Sequence, residues 1–147
     1  MDSLLQTWDF YKNKPIELLE QLSDQDLSYK PFETSKTLGW LLNHVADVRE
    51  VYVRAFEQGG GVTWEDKLNV KENERSIEKL KRYYLSIECR LDQIKNTLSP
   101  ELVIDWSEMG NPTVVLCMQY MTEHEIFHHG KYSIYLDGLG IDYNITP

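Results

Sequence analysis

The chain has 147 residues, enough for one domain with a sizeable core and too few for two, so residues 1–147 are read as a single domain. Hydrophobic residues at 41% and charged residues at 27% are ordinary for a globular protein, and no apolar run approaches the roughly 20 residues a membrane helix needs. A net charge of −9 sets the average field against phosphates, which argues against a nucleic-acid partner.

The N-terminus, Met1-Asp2-Ser3-Leu4-Leu5-Gln6, lacks a basic stretch followed by an apolar one, so no secretory signal is expected and a cytoplasmic location is the default. The first helix carries Leu4, Leu5, Trp8, Tyr11, Leu18, Leu19 and Leu22 at steps suited to one apolar face. Pro15 interrupts it, which predicts a kink or two shorter helices meeting near Lys14. Ser23-Asp24-Gln25-Asp26 and Tyr29-Lys30-Pro31 read as a connector.

A second helix is predicted to start near Thr34-Ser35, to carry Leu38, Leu41, Leu42, Val45, Val48, Tyr52 and Phe56 on one side, and to end at Gly59-Gly60-Gly61. The mixed polar stretch from there to about Asn73 is long for a compact domain and marks a crossover or a functional lid. The third helix, Glu74 to Leu98, is the clearest amphipathic segment, and Ser99-Pro100 stops it. Val103-Ile104-Asp105-Trp106 reads as a short extended piece. The fourth helix is predicted from Thr113 to Leu136, with Cys117, Met121, His124, His128, Lys131 and Tyr135 along one stripe and Gly138-Leu139-Gly140 ending it. The tail, Ile141 to Pro147, carries no chemical motif. Cys89 and Cys117 fall inside predicted helices without Cys-x-x-Cys spacing, which suits reduced, buried thiols. Four long helices without strand pairs make an all-α four-helix bundle the economical fold.

The chemistry concentrates in Glu123-His124-Glu125-Ile126-Phe127-His128-His129-Gly130, which holds three of the four histidines. His124 and His128 are one helical turn apart, with Cβ atoms about 5–6 Å from each other, so both rings can reach one zinc-like ion. His129 is turned about a quarter circle away. His44, on the apolar side of the second helix, is the candidate third ligand, because bundles build metal sites from inward side chains of facing helices. His124-Glu125-Ile126-Phe127-His128 also matches the H-E-x-x-H zinc-protease string, in which the Glu activates water. Position 134 is Ile where one protease class has a further His, and the upstream chain reads as helix, so a protease is the weakest reading. Cys117 reads as a small core residue, Glu123, Glu125 and Asp47 as helix-surface charges, and the tryptophans mostly as core.

Leu27-Ser28-Tyr29-Lys30-Pro31, the run from Thr37 to Asp47, His124-x-x-x-His128-x-Gly130 and Tyr135-Leu136-x-x-Leu139-Gly140 together resemble the DinB-like (DinB/YfiT) family over nearly the whole chain. The resemblance implies an up-down-down-up bundle with a long crossover between helices two and three. It also implies a divalent metal in a pocket open at one end, its ligands falling on His44, His124 and His128. Where the family often has Arg between the last ligand and the glycine, this chain has His129.

Three nitrogen ligands leave a coordination position free, the arrangement of a catalytic metal, with zinc or nickel the expected ion. The expected function is a metal-dependent enzyme acting on a small molecule, by thiol-dependent S-transfer with a low-molecular-weight thiol or by hydrolysis. The alternative is a non-catalytic metal- or ligand-binding stress protein. No membrane partner is expected, and self-association into a homodimer through an exposed bundle face is compatible with the sequence.

Overall fold

The structure, a computed structural model, describes residues 2–142. Met1 and the tail from 143 to 147 lie outside the described residues. Among the described residues five α-helices make up most of the structure: α1 (Asp2–Tyr11), α2 (Lys14–Leu19), α3 (Leu38–Gln58), α4 (Ile77–Ile94) and α5 (Val114–Leu139). Short 3₁₀ turns punctuate the connections. α1 and α2 are the two halves of the first predicted helix. They meet at Lys12-Asn13, and Pro15 sits in the first turn of α2, where its missing N–H costs nothing.

α3 begins later than expected. Ser35 N–H closes a turn onto the Phe32 carbonyl, and Thr37, in an extended conformation, caps the helix by accepting from Trp40 N–H at 3.1 Å. Its end at Gly59 (φ +74°) is as predicted. α4 is shorter than expected at both ends: Ser76 caps it in place of a start at Glu74, with its hydroxyl accepting from Lys79 N–H, and it ends at Ile94 rather than Leu98, before Ser99-Pro100 is reached. Thr113 caps α5, and Gly140 (φ +69°) ends it three residues past the predicted Leu136. The extended piece around Val103 is real but minimal: among the described residues there are two isolated bridges, Val103 with Thr113 and Asp105 with Gly60.

Side-chain pairs give the topology. Asp9 meets Lys95, Lys12 meets Asp92 and Glu20 meets Lys81, so the α1–α2 unit runs antiparallel to α4. Asp47 accepts from Tyr83 Oη at 2.9 Å and Glu57 from Arg90 Nε at 2.9 Å, so α4 runs parallel to α3. Lys36 carbonyl accepts from Tyr135 Oη while Arg49 reaches Glu125, so α5 runs antiparallel to α3. The result is an up-down-down-up four-helix bundle. Parallel neighbours cannot be joined by a tight turn, and the chain from Gly59 to Ser76 is the crossover that joins them.

α3 is the central helix. Contact with α4, α5 and the crossover buries it nearly all round, including Asn43, Asp47, Arg49 and Glu50, where the sequence predicted one apolar stripe. Asp47 and Glu125 are therefore buried rather than helix-surface charges, whereas Glu123 is exposed as expected. Cys117 is a core residue, but Cys89 is exposed. Among the described residues no helix is long and apolar enough to cross a membrane.

The crossover lies close on α3. A Cβ on Gly39 would run into the backbone carbonyl of Glu74, which cannot retreat without moving the segment. Gly39→Ala is expected to destabilise the protein by about 1–3 kcal/mol through overpacking, read as a lower urea midpoint, and an unchanged midpoint would contradict this account.

Candidate metal centre

α3 and α5 lie side by side, and this brings together rings eighty positions apart in the chain. His44 Nε2 and His124 Nε2 are 3.3 Å apart. One ring nitrogen from each of His44, His124 and His128 lies within 4.8 Å of the others. The ring centroids are 5.2 Å (His44 to His124), 5.1 Å (His44 to His128) and 4.3 Å (His124 to His128) apart. Trp40, one turn before His44, stacks flat on its ring at 5.0 Å with an interplanar angle of 4°, which limits the orientations open to the imidazole.

The three rings open onto a cleft of about 670 Å³. Trp40, Val48 and Tyr52 of α3 and Tyr120, Phe127 and Lys131 of α5 form two walls, and Trp64 and Lys67 of the crossover form a third. The crossover is thus part of the site. Sequence reasoning placed the tryptophans mostly in the core. Trp8 and Trp106 are there, but Trp40 and Trp64 face the cleft. The position of Trp40 four residues before His44, on one helical face, was the signal that could have found it.

Burial and mutual repulsion keep the rings neutral. Burial, then the charges of Lys67 and Lys131, push His44 down to about 4. Burial first, then the neighbouring His128 and His44, push His124 to about 3. Burial, then His44 and Lys131, push His128 to about 4. Near neutral pH all three are unprotonated, the form in which an imidazole can bind a metal. Nδ1 of His124 and of His128 is buried without a hydrogen-bond partner among the described residues. Three neutral, convergent nitrogen donors fit a metal ion.

His129 does not join the cluster. Its ring is buried and edge-on to Tyr11 at 5.5 Å and to Tyr132 at 6.0 Å, as its angular offset on the helix requires. Cys117 is also outside the cluster. Glu125, the acid of the H-E-x-x-H string, does not line the cleft. Its carboxylate is bound by Arg49 Nε, and Arg49 in turn donates to Glu88 at 3.1 Å and to the Lys12 carbonyl at 2.9 Å. A carboxylate clamped inside the bundle cannot prepare a water for peptide cleavage.

Two outcomes follow. Glu125→Ala leaves Arg49 buried with one carboxylate fewer and is expected to cost about 3–5 kcal/mol, measured by urea unfolding. The histidines set an acid limit. Their ordinary value is 6.5, so an unfolded chain binds protons there below that pH, while the folded chain does so only near 3 to 4. The unfolded state then holds more protons, and the metal-free protein loses stability as pH falls from about 6.5 to 4. Glu88 acts with the opposite sign, because burial raises its carboxyl to about 7 and its contribution grows as pH falls through that value. Comparing urea midpoints of wild type and His124→Gln across this range isolates the histidine part, and the variant's acid limb should be flatter.

The same geometry can be set beside known proteins. The model of the DinB family matches residues 1–146. The uncharacterised protein YjoA of Bacillus subtilis (strain 168) is 25% identical over 131 residues, spanning 88% of this chain and 84% of its own. A crystal structure of that DinB-like protein superposes with a TM-score of 0.75 at 22% identity, over 99% of this chain and 96% of the other, which shows a shared fold. With the family's sequence model matching nearly the whole of this chain, the chain belongs to the DinB family.

Proposed function

We propose that His44, His124 and His128 hold one divalent ion, zinc or nickel, and that the protein is a metal-dependent enzyme acting on a small molecule. The observation that carries this is the convergence of three unprotonated ring nitrogens within 4.8 Å at the floor of an open cleft. Bound there by three neutral nitrogens, the ion would keep a coordination position open and lower the pKa of a thiol or water brought to it.

The chain's own residues supply the rest. Stacking by Trp40 fixes the His44 ring, and the ion pair between Arg49 and Glu125, next to His124, fixes α5 against α3. Trp64 and Lys67 cover one side of the cleft, so a ligand is partly withdrawn from water. The preferred chemistry is transfer of a low-molecular-weight thiol onto an electrophile, as the family resemblance implies, with metal-assisted hydrolysis second. Hydrolysis ranks lower because the cleft offers no evident base. No carboxylate lines it among the described residues, and burial holds the Tyr52 phenol well above its ordinary range. That same absence favours a non-catalytic metal-binding protein as the competing reading.

Competition against a chromophoric chelator should show one equivalent of zinc or nickel bound, and His44→Ala should weaken it by on the order of 100-fold or more. A thiol-conjugation assay across several thiols and electrophiles should give a rate that disappears with chelator. Background rates with the site occupied would discard the transferase and leave the binding protein.

A further inference from the structure

The chain carries 24 acidic residues against 15 lysines and arginines, yet the histidine cleft has the opposite balance. Among the described residues its charged wall residues are Lys67, from the crossover, and Lys131, from α5. Trp40 and Lys131 also border an adjoining hollow of about 280 Å³, where Lys36 adds a third ammonium and again no acid appears. Each of these lysines lies over an aromatic ring: Lys67 Nζ is 4.9 Å from the centre of Trp64, Lys131 Nζ 4.2 Å from Phe127 and Lys36 Nζ 5.6 Å from Trp40. Lys12, Lys71, Lys79 and Lys95 each meet a carboxylate within 4.0 Å, whereas none of the three cleft lysines does among the described residues.

A ring face offsets only part of an ammonium charge. The imidazoles are neutral and offset none of it, and a divalent ion at the histidines would add two more positive charges to the same partly dry space. An anionic ligand would bring the countercharge that the walls lack, and its attraction to the ammonium groups is stronger in this half-buried space than in bulk water. The aromatic faces of Trp40, Trp64 and Phe127 meanwhile offer apolar area that water wets poorly.

We propose that the cleft binds a small molecule carrying an anionic group, a carboxylate or its equivalent, on an apolar or aromatic body. Lys67 and Lys131 take the anion, and Trp40, Trp64 and Phe127 take the body. The inference rests on the reading of this cleft as the substrate site of a metal enzyme and names the class of substrate.

The test is calorimetric titration of 2-naphthoate and its neutral counterpart 2-naphthamide into wild type and into the Lys67→Met, Lys131→Met double variant, each metal-free and zinc-loaded. Zinc affinity is measured separately by chelator competition. Wild type should prefer naphthoate by roughly fivefold or more even without metal, and the preference should shrink with added sodium chloride. The double variant, folded by circular dichroism and urea midpoint, should lose that preference while its zinc affinity stays equal or rises, since two like charges have been removed. Equal binding of both probes by wild type, or a preference that survives in the double variant, overturns the inference. Naphthoate preference without zinc binding supports it and sinks the metal reading alone; zinc bound at the histidines without the preference overturns the anion site and leaves the metal reading standing.

Discussion

One fully buried guanidinium joins the whole bundle. Arg49 of α3 binds Glu125 of α5, Glu88 of α4 and the Lys12 carbonyl at the junction of α1 and α2. Its planar group also lies 4.8 Å from the ring of Trp8 and 4.9 Å from that of Tyr84. Every helical limb of the bundle therefore contributes a contact to the same side chain. Replacing such a network wholesale by apolar groups is often neutral for stability, whereas removing one partner is costly. What the network supplies is register. A shift of α5 along α3 would break the bond between Arg49 and Glu125, and Glu125 is the residue next to His124.

That register is what the candidate metal centre needs. His44 lies five positions before Arg49 and His124 one before Glu125, so the ion pair and the histidine cluster are adjacent layers of one seam. The layers divide the electrostatics. In the core layer a permanent cation is matched by the carboxylates of Glu125 and Glu88, and burial raises the pKa of the Glu88 carboxyl. In the cleft layer there is no carboxylate among the described residues, and burial with repulsion keeps the rings neutral. Two lysines facing the rings make protonation harder still.

Much of this was legible in the sequence, for identifiable reasons. Helix ends carried by a single residue's conformation came through: Gly59 and Gly140 in the left-handed region and Pro15 at the break, and the last helix starts next to Thr113, where it was expected. The i, i+4 histidine pair is a local property of a helix and was read without the fold. The start of α3 was misplaced because Thr34 and Ser35 are as good cap residues as Thr37, and only the turn that Ser35 makes onto Phe32 decides among them. Buried charge was the larger miss. Asp47 and Glu125 look like solvated helix positions until their partners, Tyr83 and Arg49, arrive from 36 and 76 positions away, and no periodicity encodes such pairs. The inward-facing Trp64 and Lys67 were hidden for a related reason, since a crossover has no period to read.

The H-E-x-x-H string shows how far spacing alone can go. Two histidines one turn apart share a face in any helix, so the motif fixes their proximity whatever the protein does. The glutamate between them is turned about 100° from the first, and its chemistry depends on what lies on that side. In a protease it meets a water beside the metal. Here α3 presents Arg49 instead, the carboxylate becomes part of the core, and the cleft is left with aromatic walls and ammonium groups. The same five letters thus describe a hydrolytic centre or a structural clamp beside a histidine-lined cleft, and here Arg49 on the facing helix makes it the clamp.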